Sequence, residues 1–306
     1  VTGDPALRVI DADAGGDISR VIIGGAPALS GRGVADQAAD FEARYDHLRW
    51  KLMRPPAGEL HMCPVLLVDP REDAADLGVI IMESMGYPPI SGSNLFCAVA
   101  VALETGLLAM QEPDTSLRVA TPGGVVPVRA RCRHGRCRSV AFDNAPAFVR
   151  APFQAPGPSG PAPATLIAAG VDYAVAAAPA LGLDLDTAGP AALVAAGQRL
   201  SRRAGTDFAL FHDGLTVAGG RAECRVTVFQ QPSVICRSPT GTGTTAMLVL
   251  AHAQGLIDNR GAITSRATGG GTFHGRIIGV DPGPGQPRLH TRISGEVRTG
   301  PPICIP

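Results

Sequence analysis

Two segments of the chain are apolar on every side. In the first, Leu95, Phe96, Ala98, Val99, Ala100, Val101, Ala102 and Leu103 leave no polar stripe before Glu104. The second repeats the pattern with Ala246, Met247, Leu248, Val249, Leu250 and Ala251. A helix that is apolar all round has no face for water and belongs inside a core. Each segment follows a turn of small residues, Ser91-Gly92-Ser93-Asn94 in one case and Thr240-Gly241-Thr242-Gly243-Thr244 in the other. Short β-type runs flank them: "LRVIDADAGG" and "SRVIIGG" early, "ECRVTVFQQPSVICRSP" late. The two halves therefore read alike, as two layered or barrel-like α/β domains, each a sheet curled around one buried helix.

Other patterns fill in the organisation. "AALVAAGQRLSRRAG", Ala191 to Gly205, reads as an amphipathic surface helix with Leu193, Val194 and Leu200 on one side and Gly205 as its stop. "APFQAPGPSGPAPAT", Ala151 to Thr165, is rich in Pro, Gly and Ser and reads as a loop or linker. The domain change is expected a little before it, giving a first domain over 1–138, rejoined by 298–306, and a second over 139–297. In "CRHGRC", Cys132 and Cys137 flank His134. A β-hairpin turning at His134-Gly135 fits this spacing better than a metal site, which would need four ligands where no second matching pair exists.

Composition narrows the classes. Lys plus Arg and Asp plus Glu are 27 each, so the formal net charge is zero and no nucleic-acid footprint is expected. The 38 Gly and 27 Pro suit short strands and tight turns. No apolar run reaches transmembrane length, and no signal peptide is visible, so no membrane partner is expected. Seven scattered Cys favour reduced thiols and a cytoplasmic location.

The two turns carry the candidate chemistry. The first N–H groups of a helix lack internal partners, and the helix dipole places partial positive charge there. Small residues let an anion approach that backbone. If the two helix starts face each other, the amides near Gly92, Ser93, Asn94, Gly241, Thr242 and Gly243 hold one carboxylate, and Ser91 and Thr240 flank the carbon next to it. That is a geometry for removing a proton α to a carboxylate. The plainer alternative is that Ser91 and Thr240 are ordinary N-caps. "TGTGT" lacks the Lys of a phosphate loop, so nucleotide binding is discounted.

These segments, in their order, resemble the proline racemase family. The likeness runs through "VIDADAGGDISRVIIGG", "ADLGVIIMESMGYPPISGSN", "VAFDNAPAFV", "RSPTGTGTTA", "GGGTFHGRIIG" and "ISGEVRTG". The resemblance implies a diaminopimelate epimerase-like fold of two similar domains with the site in the cleft between them. It implies no cofactor or metal, and a small proline-type substrate; whether the chain is a homodimer stays open. Racemases and epimerases of the family carry Cys at the positions of Ser91 and Thr240, whereas its dehydratases carry Cys first and Thr second. With Thr240 in second place, the resemblance implies a dehydratase acting on trans-3-hydroxy-L-proline, a hydro-lyase. The alternatives are a 4-hydroxyproline 2-epimerase or proline racemase, or a binding member without catalysis. A Ser hydroxyl is a far poorer base than a thiolate, and Ser91 shows no evident activating partner in sequence. Ser93 stands where the family often has His, and Cys236 where its epimerases often have Asp. Asp172, in a stretch similar to the family's "GGxFY" segment, is the candidate acceptor for the substrate ammonium, and His61 a candidate lining residue.

Overall fold

The computed structural model describes residues 6–282 and 286–306, which divide into two compact units. The first comprises the chain up to Phe142 together with Gly295–Pro306, and the second Asp143–Ser294. Neither junction is a linker. The chain leaves the first unit inside one long strand and returns to it inside another; the expected boundary at 138 lies within the first of these strands, and that at 297 at the one-residue break that follows the second.

The first unit begins with β1 (Leu7–Ala14) and β2 (Asp17–Gly24), then α1 (Val34–Met53). β3 (Cys63–Val68) and β4 (Leu77–Ile81) follow, then α2 (Gly92–Glu104). β5 (Asp114–Thr121) and β6 (Gly124–Arg133) lead into β7 (Arg136–Gly157). β2 and β3 pair in parallel, as do β4 and β5, because a helix crosses over between the members of each pair. The turn from β6 to β7 is the His134-Gly135 hairpin, with φ 55° and 67° at its two residues, as a type I′ turn requires.

α2 is the buried helix that its composition demands. Every residue from Ser93 to Leu103 is buried. Phe96 is wholly enclosed and meets Phe142 with ring centroids 5.6 Å apart. Burying a side chain of that size contributes about 1.5–3 kcal/mol. The 20-residue α1 has no counterpart in the sequence reading. Its Val34, Phe41, Leu48 and Leu52 form a separate core with Leu7, Val9, Ile22 and Ile80.

The second unit repeats the order. After β8 (Gly160–Ala168) and β9 (Asp172–Ala177) comes α3 (Pro190–Ala204). β10 (Phe208–His212), β11 (Thr216–Ala218), β12 (Arg221–Gln230) and β13 (Val234–Ile235) precede α4 (Gly241–Ala253). β14 (Ala262–Ala267), β15 (Thr272–Asp281) and β16 (Arg288–Glu296) close the unit. The parallel pairs are now β9 with β10 and β12 with β14, again spanned by the helices. The final strand, β17 (Arg298–Ile305), returns to pair with β1.

Side-chain alternation divides the second unit into two cores. Tyr173 and Val175 of β9, Leu210 of β10 and Val228 of β12 face α4. Ala174, Ala176, Ala209, Phe211 and Phe229 face α3, which contributes Leu193, Ala196 and Leu200. α3 stops at Gly205, left-handed at φ 68°, where the sequence places its stop.

The expected linker over Ala151–Thr165 is instead the β7–β8 hairpin, paired from Ala151↔Leu166 to Gly157↔Gly160. The prolines permit this because of where they fall. Pro152, Pro156, Pro161 and Pro163 all lie on alternate positions of one register, Pro152↔Thr165, Gln154↔Pro163 and Pro156↔Pro161. In an antiparallel ladder such positions can be the non-hydrogen-bonded pairs, where no N–H is needed between the strands. Pro161 and Pro163 also precede Ala164, where pairing with β9 begins. No helix among the described residues is long and apolar enough to cross a membrane.

Candidate active site

The start of α2 is built from its own first turn and from β2. Ser91 is the N-cap, extended at φ −144° and ψ 121°, yet its hydroxyl caps no amide of the helix. Instead its Oγ accepts a hydrogen bond from Asn94 Nδ2 at 2.9 Å. The Asn94 side chain is buried, its Oδ1 accepting from Ser19 Oγ at 2.6 Å and its Nδ2 lying 3.4 Å from Glu83 Oε1. Ser93 is also turned inward, donating to Asp17 Oδ2 at 2.8 Å. The side chains of Ser93 and Asn94 are thus committed to the protein, and what they can offer a ligand is their backbone. The first intrahelical bond runs from Leu95 N to Ser91 O at 2.9 Å, so the amides of residues 92–94 precede the helix's own ladder.

The start of α4 differs in an informative way. Thr240 does act as a cap, its Oγ1 accepting from Gly243 N at 2.8 Å. Its carbonyl begins the helical ladder, taking Thr244 N at 3.0 Å. Thr240 does this at φ 54° and ψ 149°, a left-handed conformation that β-branched residues rarely adopt. Tyr173 Oη lies 3.1 Å from Thr240 Oγ1 and 2.9 Å from Thr242 Oγ1, so one phenol joins both threonines of the turn. Gly243 has little room: a Cβ there would stand 2.6 Å from Thr240 Oγ1.

The remaining sequence-derived candidates are less closely tied to the turns. Asp172 shares its strand face with Ala174 and Ala176, opposite to Tyr173, and its carboxylate pairs with Arg150 Nε at 2.7 Å. The structure therefore does not bring Asp172 to the Thr240 turn; strand alternation brings its neighbour. His61 pairs with Glu59, Nδ1 to Oε2 at 3.2 Å, in the turn ahead of β3. Cys236 is half-buried behind β13, its amide bonded to Val228 O at 2.9 Å.

No buried thiol beside the turns substitutes for the hydroxyls. Burial pushes Cys97, on α2, up to about 12, and Cys224, on β12, likewise up to about 12. Both stay protonated near neutrality and are inert. Among the described residues no cluster of His, Cys, Asp and Glu could hold a metal ion.

The sequence reading missed Tyr173, Ser19 and Glu83. Tyr173 carried a usable signal: a tyrosine in an otherwise apolar strand needs a partner for its hydroxyl when buried.

Two units that repeat one order of strands and helices, each with a buried helix opening on a hydroxyl-bearing turn, define a duplicated α/β architecture of the epimerase type. A phenazine biosynthesis protein of the PhzF family from Bacillus anthracis has the same fold, with a TM-score of 0.67 at 11% identity over 98% of this chain and 99% of that one. Closer likeness is found to a hydroxyproline epimerase from Agrobacterium vitis, solved with bound trans-4-hydroxy-L-proline. There the TM-score is 0.83 at 28% identity, covering 98% of this chain and 92% of that one. A protein of Chromohalobacter salexigens is 32% identical over 295 residues, 89% of this chain and 81% of its own length. The proline racemase profile matches residues 9–300, and the chain belongs to the proline racemase family.

Proposed function

We propose that the chain acts at Cα of a proline-type amino acid, and that the outcome is loss of water from trans-3-hydroxy-L-proline. In this reading the amides opening α2 and α4 hold the substrate carboxylate, and no cofactor takes part. Ser91 removes the Cα proton. The electron pair left behind forms a double bond from Cα to the neighbouring ring carbon, whose C–O bond breaks. The departing hydroxide takes up the proton that Ser91 removed and leaves as water, which returns the Ser91 oxygen to its starting state. The ring enamine then relaxes to its imine, a pyrroline-2-carboxylate.

The observation that carries this reading is the state of Thr240. Its oxygen is held by Gly243 N–H and the Tyr173 phenol, a setting for a hydroxyl that hydrogen-bonds to a leaving hydroxyl. A hydroxyl is a poor proton donor to carbon, so the second step of an epimerisation lacks its acid.

A second reading is supported by the bound ligand of the A. vitis epimerase: inversion at Cα of 4-hydroxyproline or proline, an isomerase activity. Incubation in D₂O separates the two. Elimination yields pyrroline-2-carboxylate, read by its colour reaction, from 3-hydroxyproline. Inversion yields the Cα epimer of 4-hydroxyproline, read by chiral chromatography. Strong epimerisation without elimination would replace the first reading by the second. Binding without deuterium uptake or product would remove both and leave a binding member of the family.

A further inference from the structure

We infer that Asn94 is the residue that prepares Ser91 to carry negative charge, a positioning role that rests on the reading of Ser91 as the proton acceptor. The Asn94 amide is buried and its orientation is fixed from two sides. Ser19, itself fully buried, donates to Oδ1 at 2.6 Å, and Glu83 Oε1 lies 3.4 Å from Nδ2. A flipped amide would turn its carbonyl oxygen toward the Glu83 carboxylate, two acceptors facing each other, so the NH₂ group is the end presented to Ser91.

An amide NH₂ has no lone pair to offer a proton. Asn94 therefore cannot deprotonate Ser91; it can only donate to Ser91 Oγ, at 2.9 Å. A donor aimed at an oxygen favours its charged form, and the N-terminus of α2 acts in the same sense. The carboxylates around this turn oppose it: Glu83, beside the Asn94 amide, and Asp17, bonded to Ser93, both favour the neutral form. By standing between Ser91 and Glu83 with both amide hydrogens, Asn94 shields the hydroxyl from the closest of these charges. Ser91 thus has an activating neighbour three residues along its own helix, where sequence showed none.

The test needs no substrate. In Ser91→Cys the thiol reports the same environment, since its acidity sets the pH at which it alkylates. Iodoacetamide labelling of position 91 is followed peptide by peptide across pH, because the chain has seven other cysteines. Adding Asn94→Asp replaces the donor by a carboxylate and moves the labelling midpoint up by about one pH unit or more. Adding Asn94→Ser, which shortens the donor without adding charge, moves it the same way by less. Circular dichroism verifies the fold of each variant, and the uncharged Ser replacement decides if the Asp variant unfolds. Because all variants keep Glu83 and Asp17, the differences isolate Asn94. Coincident midpoints would overturn the inference even in a chain that turns over hydroxyproline. Shifted midpoints in a native chain without turnover would keep it and remove the proposed function instead.

Discussion

Tyr173 and Thr240 meet through their hydroxyls, 3.1 Å apart, at the point where β9 runs under the first turn of α4. The same phenol reaches Thr242 Oγ1 at 2.9 Å. Tyr173→Phe keeps the buried ring and deletes only this bridge, leaving two threonine hydroxyls to find each other or water. Both threonines are half-buried, so loss of the bridge costs about 0.5–1.5 kcal/mol. The expected result is a lower urea midpoint with unchanged slope, and a fall in kcat larger than any rise in KM. Unchanged kcat and midpoint together would show that the bridge neither supports the turn nor orients Thr240.

Thr240 holds its left-handed conformation while capping α4, so the backbone at this position stores strain of about 1–3 kcal/mol. Two substitutions separate strain from capping. Thr240→Ala loses the cap and keeps the strain. Thr240→Gly loses the cap and relaxes the strain, because Gly tolerates positive φ. At an unstrained N-cap Gly already exceeds Ala by somewhat under about 1 kcal/mol, and here the Gly variant is expected to exceed the Ala variant by about 2 kcal/mol or more. A difference no larger than the ordinary N-cap one, read by urea unfolding, would show that the backbone here is not strained. Strain of this kind at the residue proposed to meet the substrate is what a pre-set turn requires.

The sequence made some of this legible and hid the rest for physical reasons. The starts of α2 and α4 stand out because a small-residue turn precedes a run with no polar face, and only a buried helix satisfies both. α1 did not stand out, because Phe41, Leu48 and Leu52 are spaced among charged residues such as Asp40, Glu42 and Arg49. The β7–β8 hairpin read as a linker because proline content is visible in sequence and its register is not. Asp172 stands out in the sequence by its charge, yet in a strand the neighbour's side chain faces the other way, and that parity is fixed only by the core. Asn94 was expected to meet substrate; the contact that occupies it, Ser19, comes from a strand 75 residues earlier.

His212, at the end of β10, ties stability to pH away from the proposed site. It is buried, and desolvation holds its pKa below the ordinary 6.5, outweighing the opposite pull of Asp213. Its Nδ1 accepts from Gly214 N at 3.1 Å, a role only the unprotonated nitrogen can play. The folded state thus binds this proton less readily than the unfolded state. Full stability is present above pH 6.5, declines as pH falls through the window between 6.5 and the lowered folded value, and stays lower beneath it. His212→Asn offers an acceptor oxygen without a titrating ring. Urea midpoints at pH 7.5 and at about pH 5 should differ more for the native chain than for the variant. The same pH dependence in both would exclude His212 as the source.

The division between elimination and inversion turns on one atom at position 240. Elimination needs a proton taken from one face of Cα and a hydroxyl lost from the next carbon. Inversion needs, in addition, an acid on the opposite face to return a proton to carbon. In the proposed geometry that place is held by the Thr240 hydroxyl, which is already bonded to Gly243 N–H and Tyr173. Thr240→Cys puts a thiol there, with an ordinary pKa of about 8.5 rather than that of an alcohol. The native chain is expected to show almost no Cα inversion of trans-4-hydroxy-L-proline, and the variant to gain a measurable rate. Its elimination of water from trans-3-hydroxy-L-proline should fall, because sulfur is a weaker hydrogen-bond partner for the leaving hydroxyl. Ser91→Ala in the same variant should abolish both, since neither reaction begins without the first proton. Chiral chromatography and the pyrroline-2-carboxylate colour reaction read the two outcomes side by side. Inversion by the native chain at a rate matching the Cys variant would show that Thr240 does not set the reaction's course, and full elimination after Ser91→Ala would show that the first proton goes elsewhere.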